Sequence, residues 1–558
     1  MAVCLAAGLP AGLGGASRTP VRARQGMVAS TSAEATRAGL AILKAGGNAV
    51  DAAVAIGFAL AVTHPSAGNL GGGGFMVIRL AGGQETTIDY RETAPARATR
   101  DMFLDAQGNV APGASTETPL AAGVPGSVAG LSYALEKYGS LSRREVLEPA
   151  IALARDGIEV SWALSDSLGY ASGLLGRNPA ARAAFLKADG TAPDPGSRLV
   201  QPDLAKTLAL IADHGPAAFY DGPVAALIVA EMERSGGLIS KADLAAYRPV
   251  ERAPLTGTYR GVRVVSMGPP SSGGVALVEL LNVLEGYPLA EYGANSSRTM
   301  HVVAEAARRV YADRAEWLGD PGFTRVPVAG LTAKAYAATL RAAIDESHAT
   351  PSAQVRAGTA AALESTHTTH YSVVDAAGNA VAVTTTLNGS YGNGQLVPGA
   401  GFLLNNEMDD FSSKPGTPNM FGLVGGDANA IAPGKRMLSS MTPTILVRDG
   451  RAWFVTGSPG GSRIITTVLQ TVLNVVDFGM DAQEAVDSPR FHHQWLPDRI
   501  EIERRGFAAD VVARLRALGH VVSETGDMGD VQAILVDPGT SLRMGASDPR
   551  LDGLALGY

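Results

Sequence analysis

The sequence predicts an α+β protein in which sheets are covered by helices. Helical periodicity dominates the first two thirds of the 558 residues, and the last third carries two hairpin patterns. Between them Ser347 to Glu364 is polar, Ala-rich and weakly periodic, an exposed linker. The chain is 46% hydrophobic and 18% charged, enough apolar material for a sizeable core in one large or two to three medium domains.

In chain order, Gly26 to Ala29 reads as a short strand. Thr31 and Glu34 have capping-box spacing, so a helix follows and stops at Gly46-Gly47. Ala49 to Val62 is a second helix, apolar nearly all round and therefore buried. Gly68 to Gly74 is a glycine-rich loop leading into the strand Phe75 to Ile78. Phosphate sites run strand, loop, helix; this order is the reverse, so the loop is expected to pack against other backbone. Gly126–Tyr138, Ser142–Asp156, Asp203–His214 and Pro223–Ser235 are helical, covering layers rather than a site. Tyr259 to Ser266 reads as one strand. Helices follow at Val275–Glu285, Ser297–Leu318 and Ala333–Glu346. Thr369–Asp375 and Asn379–Thr386 form one hairpin; Thr442–Arg448 and Arg451–Thr456, joined by Asp449-Gly450, form another. A helix from Ile464 to about Val476 and strands centred on Ile500 and Ile534 close the pattern.

The stretch that calls for explanation is Thr366-His367-Thr368-Thr369-His370. A threonine hydroxyl is a poor nucleophile unless a base stands beside it. Its own α-amino group, which titrates near neutrality, can be that base if the threonine is first in its chain. An N→O acyl shift followed by hydrolysis would expose it, and the linker upstream suits such a cut. Spacing leaves Thr366, Thr368 and Thr369 open as candidates. The plainer reading is β-formers on a half-buried strand, and on pattern alone it outweighs catalysis.

Three further clusters shift the balance. Glu407 and Asp410 lie three apart, suited to an ammonium. Ser439-Ser440, after Lys435-Arg436, offers hydroxyls to a carboxylate; Arg91 reads as an ordinary surface arginine unless it stands beside a carboxylate ligand, which it would grip bidentately. Ser458-Pro459-Gly460-Gly461-Ser462 before a helix resembles an oxyanion hole, where glycines let two N–H groups address one oxygen. Together they describe a site for an amino acid carrying an acyl group. His367, His370, His492 and His493 read as structural, and the single cysteine, Cys4, excludes a disulfide within the chain or a Cys-based metal site. The net charge of −7 gives no reason to expect nucleic acid, and no later segment has the length of a membrane span.

These motifs, with Gly46–Ala53, Gly71–Phe75, Arg91–Pro95, Thr368–Asp375, Asn405–Phe411, Leu438–Met441 and Gly457–Arg463 in this order, closely resemble bacterial γ-glutamyltransferases (γ-glutamyl transpeptidases) from about Gly26 to Tyr558. The resemblance implies an N-terminal-nucleophile hydrolase αββα sandwich. It implies a zymogen that cleaves itself between His367 and Thr368 into a large subunit (26–367) and a small one (368–558), which stay associated as a heterodimer. Thr368 would be the nucleophile, with Thr386 supporting its hydroxyl. Arg91, Ser439 and Ser440 would bind the α-carboxylate of a γ-glutamyl group; Asn388, Glu407 and Asp410 would bind its α-amino group; Gly460 and Gly461 would form the oxyanion hole. Glutathione and other γ-glutamyl compounds would be donors, and water, amino acids or dipeptides the acceptors, with no metal or organic cofactor.

Two departures stand out. Related members often carry Gln where this chain has Glu407, and Phe421 occupies the place of a common lid tyrosine, which removes a hydroxyl that could reach toward Asn388. The rival readings are a glutaryl or cephalosporin-type acylase on the same fold, for which an ammonium-binding pair has less use, and an unprocessed homologue that only binds γ-glutamyl compounds. Residues 1–25 read as a signal or disordered tail. The apolar run Ala2 to Leu9 resembles part of a secretory signal without its positive n-region, so a periplasmic or secreted protein is expected.

Overall fold

The structure is a computed structural model and describes residues 17–356 and 368–558. The Ala2–Leu9 run, Thr366, His367 and the expected cut lie outside the described residues. The fold is built on two antiparallel seven-stranded sheets. In spatial order the first runs Leu554–Gly557, Met27–Ser30, Thr369–Val374, Ala380–Thr386, Gly73–Arg79, Glu85–Asp89, Val250–Arg252. The second runs Val21–Ala23, Arg543–Ser547, Gln532–Val536, Arg451–Thr456, Thr444–Arg448, Val262–Ser266, Leu255–Tyr259.

Strand alternation sorts the apolar side chains into three layers. Between the sheets lie Met27, Ala29, Val77, Val374, Ala380 and Ala382 from one, and Val265, Ile445, Val447, Val455 and Ile534 from the other. The many alanines here let the sheets approach closely. The opposite face of the first sheet, with Met76, Ile78, Tyr371, Val373, Val381 and Val383, packs on helices Ala33–Lys44 and Ala49–Thr63 and their neighbours. The opposite face of the second, with Val264, Leu446 and Phe454, packs on Gly273–Leu284, Ser297–Trp317 and Ile464–Val476. The result is the expected αββα sandwich. Helix Ala49–Thr63 is buried on every side, as its sequence predicts.

The structure corrects several expectations. Ser32, not Thr31, caps the first helix, accepting from Ala35 N at 3.3 Å, because the Thr31 hydroxyl is turned to the Asp530 carboxyl. Tyr259 to Ser266 is not one strand. Arg260 (φ 47°) and Gly261 (φ 79°) form a tight turn between Leu255–Tyr259 and Val262–Ser266. The helix expected over Ala333–Glu346 ends at Ala342. Ile500–Glu503 belongs to a separate three-stranded sheet, and the strands Arg543–Ser547 and Leu554–Gly557, which no pattern marked, complete the two large sheets.

The glycine-rich loop does pack against backbone. A Cβ at Gly71 would stand 2.1 Å from the Leu403 carbonyl oxygen, and one at Gly72 2.0 Å from that of Thr386. A side chain at Gly72 would push away Thr386, the end of the strand that faces Thr368.

Candidate active site

Thr368 directly precedes the strand Thr369–Val374 and is 8% exposed. Thr369 pairs with Thr385 in the neighbouring strand, so Thr386 closes that strand opposite Thr368. The Thr386 hydroxyl accepts from Asn388 N at 2.7 Å. Asn388 itself has φ 73°, a left-handed conformation that asparagine tolerates, and this turns the chain sharply at the strand end. Its Nδ2 donates to Asn406 O at 3.0 Å.

Arg91 follows the strand Glu85–Asp89 and is almost wholly buried. Its N–H donates to Asp89 Oδ1 at 3.0 Å and its Nε to Met437 O at 3.3 Å. The two guanidinium arms reach Glu407 and Asp410, which stand on a single helical turn, Glu407–Asp410. Glu92 lies 3.7 Å from Nη1, the same arm that reaches Glu407. Burial alone would lower the arginine's pKa, but Glu407, Asp410 and Glu92 hold it above its ordinary value. Burial pushes Glu407 well up, raises Asp410, and brings Glu92 to about 7. Three carboxyls thus share one arginine, and a positive group arriving among them would favour their ionised forms.

On the far side stand the serines. Ser439 Oγ accepts from Met441 N at 3.1 Å, and Ser440 Oγ accepts from Arg314 Nη2 at 3.1 Å. The Gly460–Gly461 turn (φ 136° and 54°) precedes the helix Ile464–Val476. Among the described residues neither glycine N–H has a backbone acceptor. The turn is braced by Ser458, whose hydroxyl donates to Pro459 O at 2.7 Å and accepts from Asp530 N at 3.1 Å.

These pieces converge on one pocket, lined by Arg91, Thr368, Thr386, Asn388, Glu407, Asp410, Phe421, Ser439, Ser440 and Gly461. It is narrow, ≈ 20 Å³, and the paired Arg91, Glu407 and Asp410 all line it. Gly460 faces a second, open cavity of ≈ 880 Å³, and Thr368 lines both. The larger cavity is walled by Thr31, His64, Trp162, Asp527, Asp530 and Arg550 among others. Residues 158–164 line it too, so this part of the helical region is more than the covering layer expected of it.

Arg91, Thr368, Thr386, Asn388, Glu407, Asp410, Ser439, Ser440 and Gly461 are thus brought to one pocket, and Gly460 faces the cavity that adjoins it at Thr368. Their mutual geometry differs from the simplest expectation in one respect: Arg91 pairs directly with Glu407 and Asp410 instead of standing across a gap from them. His370, His492 and His493 are buried and bonded within the fold; His370, for example, meets Thr384 Oγ1 at 2.9 Å. Among the described residues no group of three or more His, Cys, Asp or Glu could hold a metal ion, and no helix is long and apolar enough to cross a membrane.

Sequence reading missed Arg314, Glu92, Ser272 and Asp530. Arg314 had left a signal. It follows Val303, Ala307 and Val310 at spacings of four, three and four, on the apolar face of a long helix where a charge needs a reason.

The family model for gamma-glutamyltranspeptidase matches residues 35–558. The glutathione hydrolase proenzyme of Escherichia coli is 56% identical over 541 residues, spanning 97% of this chain and 93% of that one. The ACY 1 acylase proenzyme of a Pseudomonas species is 40% identical over 544 residues, 96% and 94% of the two chains. Among solved structures, a cephalosporin acylase from Bacillus halodurans superposes with a TM-score of 0.85 at 28% identity over 99% of each chain. The sandwich is that of the N-terminal-nucleophile hydrolases, and the chain belongs to the gamma-glutamyltranspeptidase family.

Proposed function

We propose that this protein is a self-processed γ-glutamyltransferase and glutathione hydrolase with Thr368 as nucleophile. The observation that carries the reading is the position of Thr368: it lies where the charged pocket, the open cavity and the Gly460–Gly461 turn meet. In processing, Thr368 Oγ attacks the His367 carbonyl carbon, the peptide bond passes to an ester, and water releases His367 as a carboxylate with Thr368 as a free N-terminus. In catalysis the α-amine of Thr368 takes the Oγ proton as Oγ attacks the γ-carbonyl of glutathione. The Gly460 and Gly461 N–H groups hold the oxyanion, a contribution of roughly 3 kcal/mol per donor. The α-ammonium returns the proton to the departing nitrogen, and cysteinylglycine leaves. Water, or the amine of an amino acid or dipeptide, then attacks the Thr368 ester, giving glutamate or a new γ-glutamyl amide.

Arg91, Ser439 and Ser440 take the donor's α-carboxylate. Asn388, Glu407 and Asp410 take its ammonium, and Thr386 supports the Thr368 hydroxyl. The zwitterion enters by parting Arg91 from its carboxylates, one charge for each side. Glutaryl amides lack the ammonium and would leave Glu407 and Asp410 without a partner, which disfavours the acylase reading. Two polypeptides, 26–367 and 368–558, remain together as a heterodimer, and the apolar start Ala2–Leu9 suits export to the periplasm. The test is N-terminal sequencing of the smaller band on a denaturing gel, with rates on γ-glutamyl-p-nitroanilide and glutaryl-p-nitroanilide. A Thr368 start and a γ-glutamyl preference are expected; a lasting full-length band or a glutaryl preference would overturn the assignment.

A further inference from the structure

The α-carboxylate end of the pocket has a charge behind it that the assignment above does not use. Arg314 lies on helix Ser297–Trp317 and is 4% exposed. Its Nη2 donates to Ser440 Oγ at 3.1 Å and its Nε to Ser272 Oγ at 2.9 Å. Among the described residues no carboxylate comes within ion-pair distance of it. Arg91, by contrast, is shared among Glu407, Asp410 and Glu92. Burial draws Arg314 down to about 10, which still leaves it charged at neutral pH.

Donor arithmetic gives this arginine a direction. A guanidinium can only donate, so Ser440 Oγ must accept from Arg314, and its own hydrogen remains for the pocket. Ser439 is set in the same way, because its Oγ accepts from Met441 N. Ser272 closes the set: its hydroxyl accepts from Arg314 and donates to Ser439 O at 2.6 Å, which fixes the backbone between the two serines. Two hydroxyls committed to donate, with a buried cation behind one of them, form a receptor for an anion.

We propose that Arg314 is a positioning residue for donor specificity: it orients Ser440 as a hydrogen-bond donor and supplies the positive charge that selects donors bearing an α-carboxylate. The inference rests on the γ-glutamyl reading of the pocket. Arg314 stays behind Ser440, so its removal acts on recognition of the carboxylate and leaves the attack by Thr368 in place.

The test compares the processed wild-type enzyme with Arg314→Gln and Arg314→Lys. For each, kcat and KM are measured on γ-glutamyl-p-nitroanilide, with inhibition constants for L-glutamate and for 4-aminobutyrate, which lacks the α-carboxylate. Arg314→Gln is expected to raise KM and the L-glutamate constant about 30-fold or more. It should change the 4-aminobutyrate constant less than about 3-fold and kcat less than about 5-fold. Arg314→Lys, which keeps the charge, should recover most of the L-glutamate affinity. Equal weakening of both inhibitors, or none, overturns the inference. If Arg314→Gln does not accumulate as folded enzyme, Arg314→Lys and Ser440→Ala decide by the same ratio: a selective loss of L-glutamate in Ser440→Ala, with Arg314→Lys near wild type, supports the inference, and an unselective change in either overturns it. A wild-type enzyme that ignores γ-glutamyl-p-nitroanilide would instead sink the γ-glutamyl reading itself.

Discussion

The Arg91 guanidinium and the Glu407 carboxylate meet inside the protein, each 1% exposed, although 316 residues of chain separate them. Removing one member of such a pair leaves the other buried without its partner. Lysine cannot reproduce the fork that spans Glu407 and Asp410. Arg91→Lys is therefore expected to lower kcat/KM on γ-glutamyl-p-nitroanilide at least about 100-fold, close to 3 kcal/mol. Glu407→Gln keeps an oxygen that can accept from an ammonium and removes one of three crowded carboxyls, so it should stay within about 10-fold of wild type. Steady-state kinetics on the two variants check the order.

Thr368 and Thr369 separate cleanly by mutation. Thr368→Ala should persist as one uncut chain on a denaturing gel. The Thr369 hydroxyl donates to Thr31 Oγ1 at 3.1 Å, and neither residue lines the narrow charged pocket, so Thr369→Ala should still be cut and lose about 10-fold or less in kcat. A Thr369→Ala protein that fails to process while Thr368→Ala succeeds would move the nucleophile by one residue.

The two glycines proposed to hold the oxyanion should differ. Gly460, at φ 136°, has a conformation that side chains avoid, whereas Gly461, at φ 54°, is left-handed and costs an L-residue about 1–2 kcal/mol. Gly460→Ala should lower kcat about 100-fold or more with KM within about 3-fold, and Gly461→Ala should lower it less. Rapid-quench measurement of acylation locates the loss at the chemical step; a change in KM alone would place it in binding.

Asp530 gives the fold a pH dependence with a definite sign. Burial, with the Asp548 charge beside it, pushes its carboxyl up to about 7. A group whose folded value lies above its unfolded value, about 4 for Asp, stabilises the fold fully below pH 4 and loses that contribution as pH rises through 7. An amide at this position does not titrate. Asp530→Asn should thus gain stability relative to wild type between pH 5 and pH 8, by about 3 kcal/mol at most. Urea unfolding at the two pH values checks the sign; a gain at pH 5 that disappears at pH 8 would contradict it.

Phe421 lines the pocket and is 3% exposed, held by its backbone: its N–H donates to Asn419 Oδ1 at 3.0 Å. A phenyl ring there excludes water without offering the ester a hydrogen bond. Phe421→Tyr is expected to change the ratio of transfer to hydrolysis at least about 2-fold, with the γ-glutamyl KM nearly constant. Product analysis with and without glycylglycine reads the ratio.

Residue pattern carried much of this architecture. The buried helix Ala49–Thr63 and the helix Ile464–Val476 were legible because periodicity and flanking glycine or proline act locally. Thr31 was misjudged as a cap because its actual partner, Asp530, is 499 residues away. The strands Arg543–Ser547 and Leu554–Gly557 were illegible for a similar reason, since Arg, Gly, Ala and Ser become strand residues only when a neighbouring strand supplies the ladder. Pattern gathered the acids, serines and glycines of the pocket as candidates, and the family resemblance gave each a role. Neither showed that Arg91 would be clasped by the acids or that Arg314 would stand behind Ser440, because side-chain pairing in the interior follows from packing.

The order of the first sheet has a consequence for the cleavage proposed between His367 and Thr368. Met27–Ser30 lies between Leu554–Gly557 and Thr369–Val374, so a strand from before the proposed cut is hydrogen-bonded on both sides by strands from after it. Two polypeptides joined this way have no plane along which to part, and pulling either free means unzipping the sheet. Dilution should not release them, their melting temperature should not depend on protein concentration, and separation and loss of the fold should be one event. A chain severed before Thr368 would thus still behave, mechanically and thermally, as though it were whole.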